Sequence, residues 1–460
     1  MKKGNIGLRL FGKKNRSISY RRRIGIGYLS VIMIGCLLLF LPISHNNQDF
    51  IKFIDAFFVS ASAFSITGLT TVNISETFNS FGHVIILILI QIGAIGIMSV
   101  KVLVLMLINK KITTTDRMMI YTEHKQTSTS GMVVLIKDAI MIMFIIQILF
   151  TLIVSIHMIL FYNYDLLKAL WFSYFHMTAA LTNAGFDLTG NSFFSFSNDY
   201  LFQIYFMIVI IIGGLGFPVL IDIKRYFLSK KSKSVFHFSL FSKLSLVTYF
   251  VVLVIGLLLV LVTDYHYFFN EVGGIKGFFM ALFQVVSSRS SGLATVNINS
   301  LNPATQFTLT ILMFIGAAPA STGGGIRTTT LAIIVLYLYH YASNKKDVVA
   351  FNRTIPKITI FNAFVSICVA MFMVNGASLL ILFLNAQLNL QSIVFEVCSA
   401  FGTTGLSLGI TSQLDTVGKV IIALLMMIGQ IGITNTLLIF ARNKEDDDLI
   451  RYPEENIAIG

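Results

Sequence analysis

Three observations predict an all-α polytopic membrane protein: charged residues make up only 12% of the chain, apolar runs of bilayer length recur along it, and one glycine motif returns four times. The predicted architecture has eight transmembrane helices and four re-entrant half-helices, arranged as four span, half-helix, span repeats around one pseudo-fourfold pore. A soluble domain carries roughly 25% charged residues. At 12% charged and 55% hydrophobic, this chain must place most of its length in lipid.

The spans come from length. About 20 apolar residues are needed to cross a bilayer, and runs of that order lie near 24–42, 82–108, 134–161, 199–223, 243–262, 305–341, 358–384 and 416–440. Between paired spans lie shorter segments, near 55–66, 169–182, 278–290 and 391–403, long enough for about three helical turns and too short to cross. The repeats therefore read as 24–109, 134–223, 243–341 and 358–441, with a basic arm at 1–23 and a tail at 442–460. The run from Ile24 to Pro42 exceeds a signal-peptide core and lacks a small-residue cleavage site, so it reads as a retained first span.

Orientation follows from the basic residues. Of 34 lysines and arginines, 28 fall in the N-terminal arm, the tail and the segments 101–137, 224–243 and 345–357 that join one repeat to the next. The loops inside repeats carry neutral residues and acids such as Asp187, Asp199, Asp264 and Glu271. By the positive-inside rule both termini are cytoplasmic and the glycine motifs enter from outside. The net charge of +13 is thus topology, with contact to anionic lipid headgroups as a further use and no sign of nucleic-acid binding.

The motifs are TGLTT, NAGFD, SGLAT and TGLSL, centred on Gly68, Gly185, Gly292 and Gly405, at intervals of 117, 107 and 113 residues. A half-helix descending from outside points its partially negative C-terminal end at the membrane centre, so four of them favour a cation there. Glycine lets the next turn present carbonyl oxygens to the axis, where they replace the hydration shell of a monovalent ion. The residues expected to line this filter are Thr67, Gly68, Leu69, Thr70, Ala184, Gly185, Phe186, Ser291, Gly292, Leu293, Thr404, Gly405, Leu406 and Ser407. No ring of Asp or Glu accompanies them, which argues against a divalent-cation site.

A second glycine cluster follows each motif: IGAIGIM at 92–98, IGGLGFP at 212–218, IGAAPASTGGG at 315–325 and IGQIGIT at 428–434. In repeats 1, 2 and 4 these glycines read as close helix packing. Repeat 3 differs. Gly316, Ala317, Ala318, Pro319, Ala320, Ser321, Thr322, Gly323, Gly324 and Gly325, then Arg327, cannot continue a helix. Irregular backbone at membrane depth survives only inside protein or beside water, so the segment 316–327 reads as a gating loop under the pore. The alternative is a kinked span with Arg327 snorkelling to the cytoplasm.

Arg289 and Glu396, in the third and fourth half-helices, lie too deep to remain unpaired. They read as filter support, bracing its backbone or pairing across repeats. Asp55 reads as a charge at a helix N-terminus. Cys36, Cys368 and Cys398 are odd in number and lack ligand spacing, so buried packing is expected. The chain carries no HExxH, GxSxG or Walker motif and reads as no enzyme, with no cofactor of its own.

These motifs carry a resemblance. SITGLTTVN at 65–73, LTNAGFD at 181–187, SSRSSGLATVN at 287–297, FEVCSAFGTTGLS at 395–407 and GAAPASTGGGIRTTT at 316–330 resemble the membrane subunit of the Ktr/Trk/HKT superfamily of potassium transporters, most of all the KtrB type. The resemblance covers essentially the whole chain. It implies four M1-P-M2 units around one pore, potassium as the transported ion held only at the filter, and sodium as a coupling or activating ion. It further implies a homodimer in a bacterial cell membrane and a cytosolic RCK-type ring, KtrA/KtrC-like, that binds ATP/ADP or a cyclic dinucleotide. Gly68, where sodium-transporting plant members carry serine, goes with potassium. Two positions depart from the family pattern: Leu293 replaces an aromatic and Gln430 an arginine. Uptake through a channel-like pore and sodium-coupled symport both remain open. Parallel repeats about one axis suit a pore better than the inverted repeats of many secondary transporters.

Overall fold

The computed structural model describes residues 20–46, 51–108, 110–123, 132–232, 236–265, 267, 272–433 and 436–437. The first 19 residues of the basic arm and the tail at 442–460 lie outside the described residues. The helices are α1 (Tyr20–Phe40), α2 (Phe53–Phe64), α3 (Ile74–Thr77), α4 (Ser80–Ile95), α5 (Ile97–Leu107), α6 (Thr114–Glu123), α7 (Met132–Tyr162), α8 (Leu166–Leu181), α9 (Tyr200–Leu215), α10 (Phe217–Ser232), α11 (Leu240–Asp264), α12 (Gly274–Ser288), α13 (Pro303–Ile315), α14 (Thr328–Ala342), α15 (Lys357–Leu384), α16 (Leu390–Gly402) and α17 (Thr416–Ile431).

Among the described residues, four helices, in α1, α7, α11 and α15, are long and apolar enough to cross a membrane, and six spans result if each of two bent pairs counts as one. Their outer faces expose large apolar side chains such as Leu37, Ile148, Leu258, Phe372 and Phe383. Such a surface is stable only against lipid or another protein. The short helices α2, α8, α12 and α16 sit inside this shell and are buried along most of their length.

Helix starts have visible chemical causes. Asn79, Asp199, Asn302 and Asp415 cap α4, α9, α13 and α17, each accepting hydrogen bonds from the first free amides. Such caps stabilise a helix by about 1 kcal/mol each. They recur once after each glycine motif and fix where the chain turns back inward.

The structure corrects several sequence expectations. The runs 82–108 and 199–223 are not continuous helices: α4 and α5 meet at 93° and α9 and α10 at 102°. The cause is Gly96 and Gly216, whose φ of 86° and 87° breaks the helical hydrogen-bond ladder. The glycine clusters thus do two jobs. Gly93, Gly213 and Gly429 pack so closely on the carbonyls of Phe64, Leu181 and Phe401 that no Cβ fits, while Gly96, Gly216 and Gly432 break the chain. The linker at 345–357 holds a two-stranded hairpin, Val349–Ala350 with Arg353–Thr354, so the chain is not wholly α. Cys368 is exposed, unlike Cys36 and Cys398, because it lies on the outer face of α15.

Candidate functional site

Helices α2, α8, α12 and α16 end within four residues of Gly68, Gly185, Gly292 and Gly405. All four glycines have positive φ, at 90°, 68°, 74° and 97°. A Cβ on Gly68 would stand 2.6 Å from the Ala184 carbonyl oxygen, and one on Gly185 would stand 2.6 Å from that of Ser291. A Cβ on Gly292 would overlap the Thr404 oxygen, and one on Gly405 the Thr67 oxygen. The four motifs therefore abut in a closed cycle, in chain order, with each glycine against the carbonyl preceding the next glycine.

Four helix C-termini, each carrying partial negative charge, surround this ring. Ser62 and Ser399, both six residues before a glycine, accept the Gly68 and Gly405 amides at 3.0 Å through their hydroxyl oxygens. These two serines escaped the sequence reading, although their shared offset could have revealed them. The Ser65 and Thr67 hydroxyls meet at 2.7 Å. The hydroxyls of Ser291 and Thr404 are buried without a hydrogen-bond partner among the described residues. Leu69, Phe186, Leu293 and Leu406, each following its glycine, are buried. Outside it opens a cavity of about 280 Å³, lined by all four glycines together with Thr70, Asp187, Ser407 and Thr411.

The 316–327 segment is irregular, as expected, and packs beneath the ring. Its amides and carbonyls are satisfied by three parts of the protein. The Ala318 amide donates to Gly214 O at 3.1 Å, and the Phe217 amide to Ala320 O at 2.9 Å. The Gly325 amide donates to Phe401 O at 3.2 Å, filling one of the open carbonyls at the end of α16. Thr322 reaches Gly213 O at 3.3 Å and meets Asn183 at 3.1 Å. A Cβ on Gly323 would lie 2.7 Å from the Ser290 side chain, and one on Gly324 would lie 2.7 Å from that of Thr403. Gly316, Ala317, Ala318, Pro319, Ala320, Ser321, Thr322, Gly323, Gly324 and Gly325 thus form one irregular plate packed against α9, α10 and α16.

Arg327 does not snorkel. It is 8% exposed, and its Nη1 donates to the carbonyls of Ala318 and Gly323, inside the loop itself. Its backbone, at φ 86° and ψ 139°, matches Gly96 at 86° and 141° and Gly216 at 87° and 147°. Arg327 therefore occupies the helix break that glycine fills in the other repeats. An L-residue there is strained, and its guanidinium bonds hold it.

Arg289 braces the loop rather than the ring. It is fully buried, donates from Nε and Nη2 to Gly316 O at 3.2 and 2.5 Å, and lies 4.9 Å above the Tyr249 ring. Arg289 and Glu396 do not pair across repeats. Glu396 instead accepts from the Ser407 hydroxyl at 2.8 Å and from Thr411, holding the chain just outside Gly405. Asp55 is more than an N-terminal charge: Lys419 of α17 binds it at 2.8 Å. Gln430 donates to Gly93 O at 3.3 Å.

The fold and the ring define a helical membrane protein in which four glycine turns abut in one cycle. Over residues 11–452 the chain matches the family described as TrkH, cation transport protein, and it belongs to that family. It is 37% identical to Ktr system potassium uptake protein D of Bacillus subtilis over 98% of this chain and 99% of that one. It is 33% identical to the potassium/sodium uptake protein NtpJ of Enterococcus hirae, over 95% of this chain and 96% of that one. The potassium transporter TrkH from Vibrio parahaemolyticus shares the fold, with a TM-score of 0.70 at 17% identity over 93% of this chain and 86% of that one.

Proposed function

We propose that this chain carries out potassium-selective uptake across the bacterial cell membrane through the glycine ring. The observation that carries this reading is the closed cycle of Gly68, Gly185, Gly292 and Gly405 against the carbonyls of Ala184, Ser291, Thr404 and Thr67. Carbonyl dipoles without a carboxylate ring suit a monovalent ion shedding its water. Relatives named as potassium uptake proteins support the same cargo. In this reading the four short helices are re-entrant pore helices, the second span of each repeat is broken at mid-membrane, and both termini face the cytoplasm.

The plate at 316–327 closes the path below the ring and moves to open it. Arg289 and Arg327 hold it, and each places a positive charge near the axis. Regulation comes from a cytosolic nucleotide-binding RCK-type ring, and the protein works as a homodimer with one pore per subunit. A sodium-coupled or sodium/potassium symport is the second reading, favoured by the resemblance to a potassium/sodium uptake protein.

Rubidium flux into liposomes with sodium as competitor tests the filter. Wild type admits rubidium and excludes sodium, and Gly405→Ser lowers that preference because its side chain meets the Thr67 carbonyl. Equal permeation of both ions by wild type, or an unchanged ratio in the variant, sinks the assignment. A rubidium flux that requires a sodium gradient selects the symport.

A further inference from the structure

His176 lies in α8, buried, with neither ring nitrogen free. One nitrogen, Nδ1, is 2.8 Å from the carbonyl of Phe172, one turn back along the helix, and so donates to it. The other, Nε2, accepts the backbone amide of Leu188 at 3.1 Å. Together these bonds demand a neutral ring protonated on Nδ1, since a carbonyl can only accept and an amide only donate. Phe172, Phe175 and Phe193 surround the ring, with centroids at 4.0, 5.7 and 5.4 Å, and fix its plane.

Leu188 follows Gly185 by three residues, so its amide sits on the chain segment that leaves the ring toward the outside. That segment carries Asp187, among the described residues the one acid lining the outer cavity. The Asp187 carboxylate in turn gathers the amides of Thr189, Gly190 and Ser192 at 3.1, 2.9 and 3.1 Å. Ser192 then accepts the Ala294 amide at 2.8 Å, joining this limb to the limb beyond Gly292. His176 is thus the anchor of a hydrogen-bonded chain that runs from a pore-facing helix to the mouth of the cavity and into the next repeat.

Register sharpens the point. His176 stands nine residues before Gly185, and Glu396 stands nine residues before Gly405. Glu396 accepts from Ser407, two residues past its own glycine. The same register holds Val59 in repeat 1 and Phe283 in repeat 3, neither of which can accept a hydrogen bond. In the ring order, repeats 2 and 4 are diagonal. Repeat 3 uses a different device, with the Ser287 hydroxyl donating to Leu293 O at 2.5 Å.

We propose that His176 is a positioning residue for ion selection: through Leu188 it fixes the outer limb of the second motif and the carboxylate of Asp187, as Glu396 fixes the limb diagonally opposite. This rests on the filter reading above. The ion touches the carbonyls and the cavity, and His176 acts only through the main chain it holds.

The test compares wild type, His176→Gln, His176→Met and Gly405→Ser in liposomes, measuring the rubidium KM, the maximal flux and the rubidium-to-sodium ratio. Glutamine offers a side-chain oxygen to Leu188, whereas methionine fills the space without a good acceptor. His176→Met is expected to raise KM and lower the ion ratio about tenfold, as loss of one buried hydrogen bond allows, while His176→Gln stays within about twofold of wild type. Equal ratios in methionine and wild-type protein overturn the proposal, and so does a folded glutamine variant as unselective as the methionine one. If methionine prevents folding, the glutamine variant decides alone: wild-type KM and ratio support the brace, and a lost ratio overturns it. Gly405→Ser keeps the two ideas apart, because failure of the filter reading leaves wild type and Gly405→Ser alike, whereas failure of this one leaves them different.

Discussion

Placing one methyl group at Gly68 is a sharp perturbation of the ring. A Cβ there stands 2.6 Å from Ala184 O, 2.8 Å from Gly185 Cα and 3.0 Å from Gly185 C, all main-chain atoms that cannot rotate away. Ordinary contact begins near 3.4 Å, so the neighbouring limb must retreat by about 0.8 Å. Binding geometry tolerates roughly 0.5 Å, and the displaced oxygen is one of the four in the proposed filter. The φ of 90° adds strain, of order 1–2 kcal/mol for an L-residue forced into the left-handed region. That penalty is too small to unfold a protein of this size. Gly68→Ala is therefore expected to reach the membrane in normal amounts and to lose rubidium-over-sodium preference tenfold or more in liposome flux. A variant with the wild-type ratio at wild-type amounts refutes the geometric argument.

The paired serines should behave alike. Ser62→Ala and Ser399→Ala each strand a partly buried glycine amide, and each should cost about 1–3 kcal/mol, read as a lower melting temperature and a blurred ion ratio of similar size in both. Arg327→Gly should be tolerated structurally, since glycine adopts φ 86° freely, while basal flux rises severalfold at unchanged selectivity because the plate loses its guanidinium bonds. Flux equal to or below wild type speaks against the plate as the gate. Lys419→Ala should destabilise through the bared carboxylate of Asp55, as the pair is only 12% and 11% exposed. The double variant Asp55→Asn, Lys419→Met should recover most of the melting temperature, and an additive loss would contradict the pairing.

Much of this arrangement was legible in the sequence because glycine spacing, helix length and charge asymmetry are properties of single segments. The short helices predicted near 55–66, 169–182, 278–290 and 391–403 appear as α2, α8, α12 and α16, shifted by a few residues. The interruption at 316–325 was legible from its composition alone. The breaks at Gly96 and Gly216 were not, because apolar residues flank each glycine directly and the turn shows only in φ. Arg327 hid for a related reason: nothing in its residue type announces a conformation that three glycines adopt elsewhere. The partners of Arg289 and His176 depend on contacts 12 to 27 residues away, between elements whose packing no periodicity encodes.

One monovalent cation site is proposed inside the ring. Crystals of the purified protein soaked in rubidium, measured at the rubidium absorption edge, test it directly. Anomalous density is expected on the axis among the carbonyls of Thr67, Ala184, Ser291 and Thr404, displaced by potassium and not by equimolar sodium. Density elsewhere in the protein with none in the ring, or equal displacement by sodium, would contradict it.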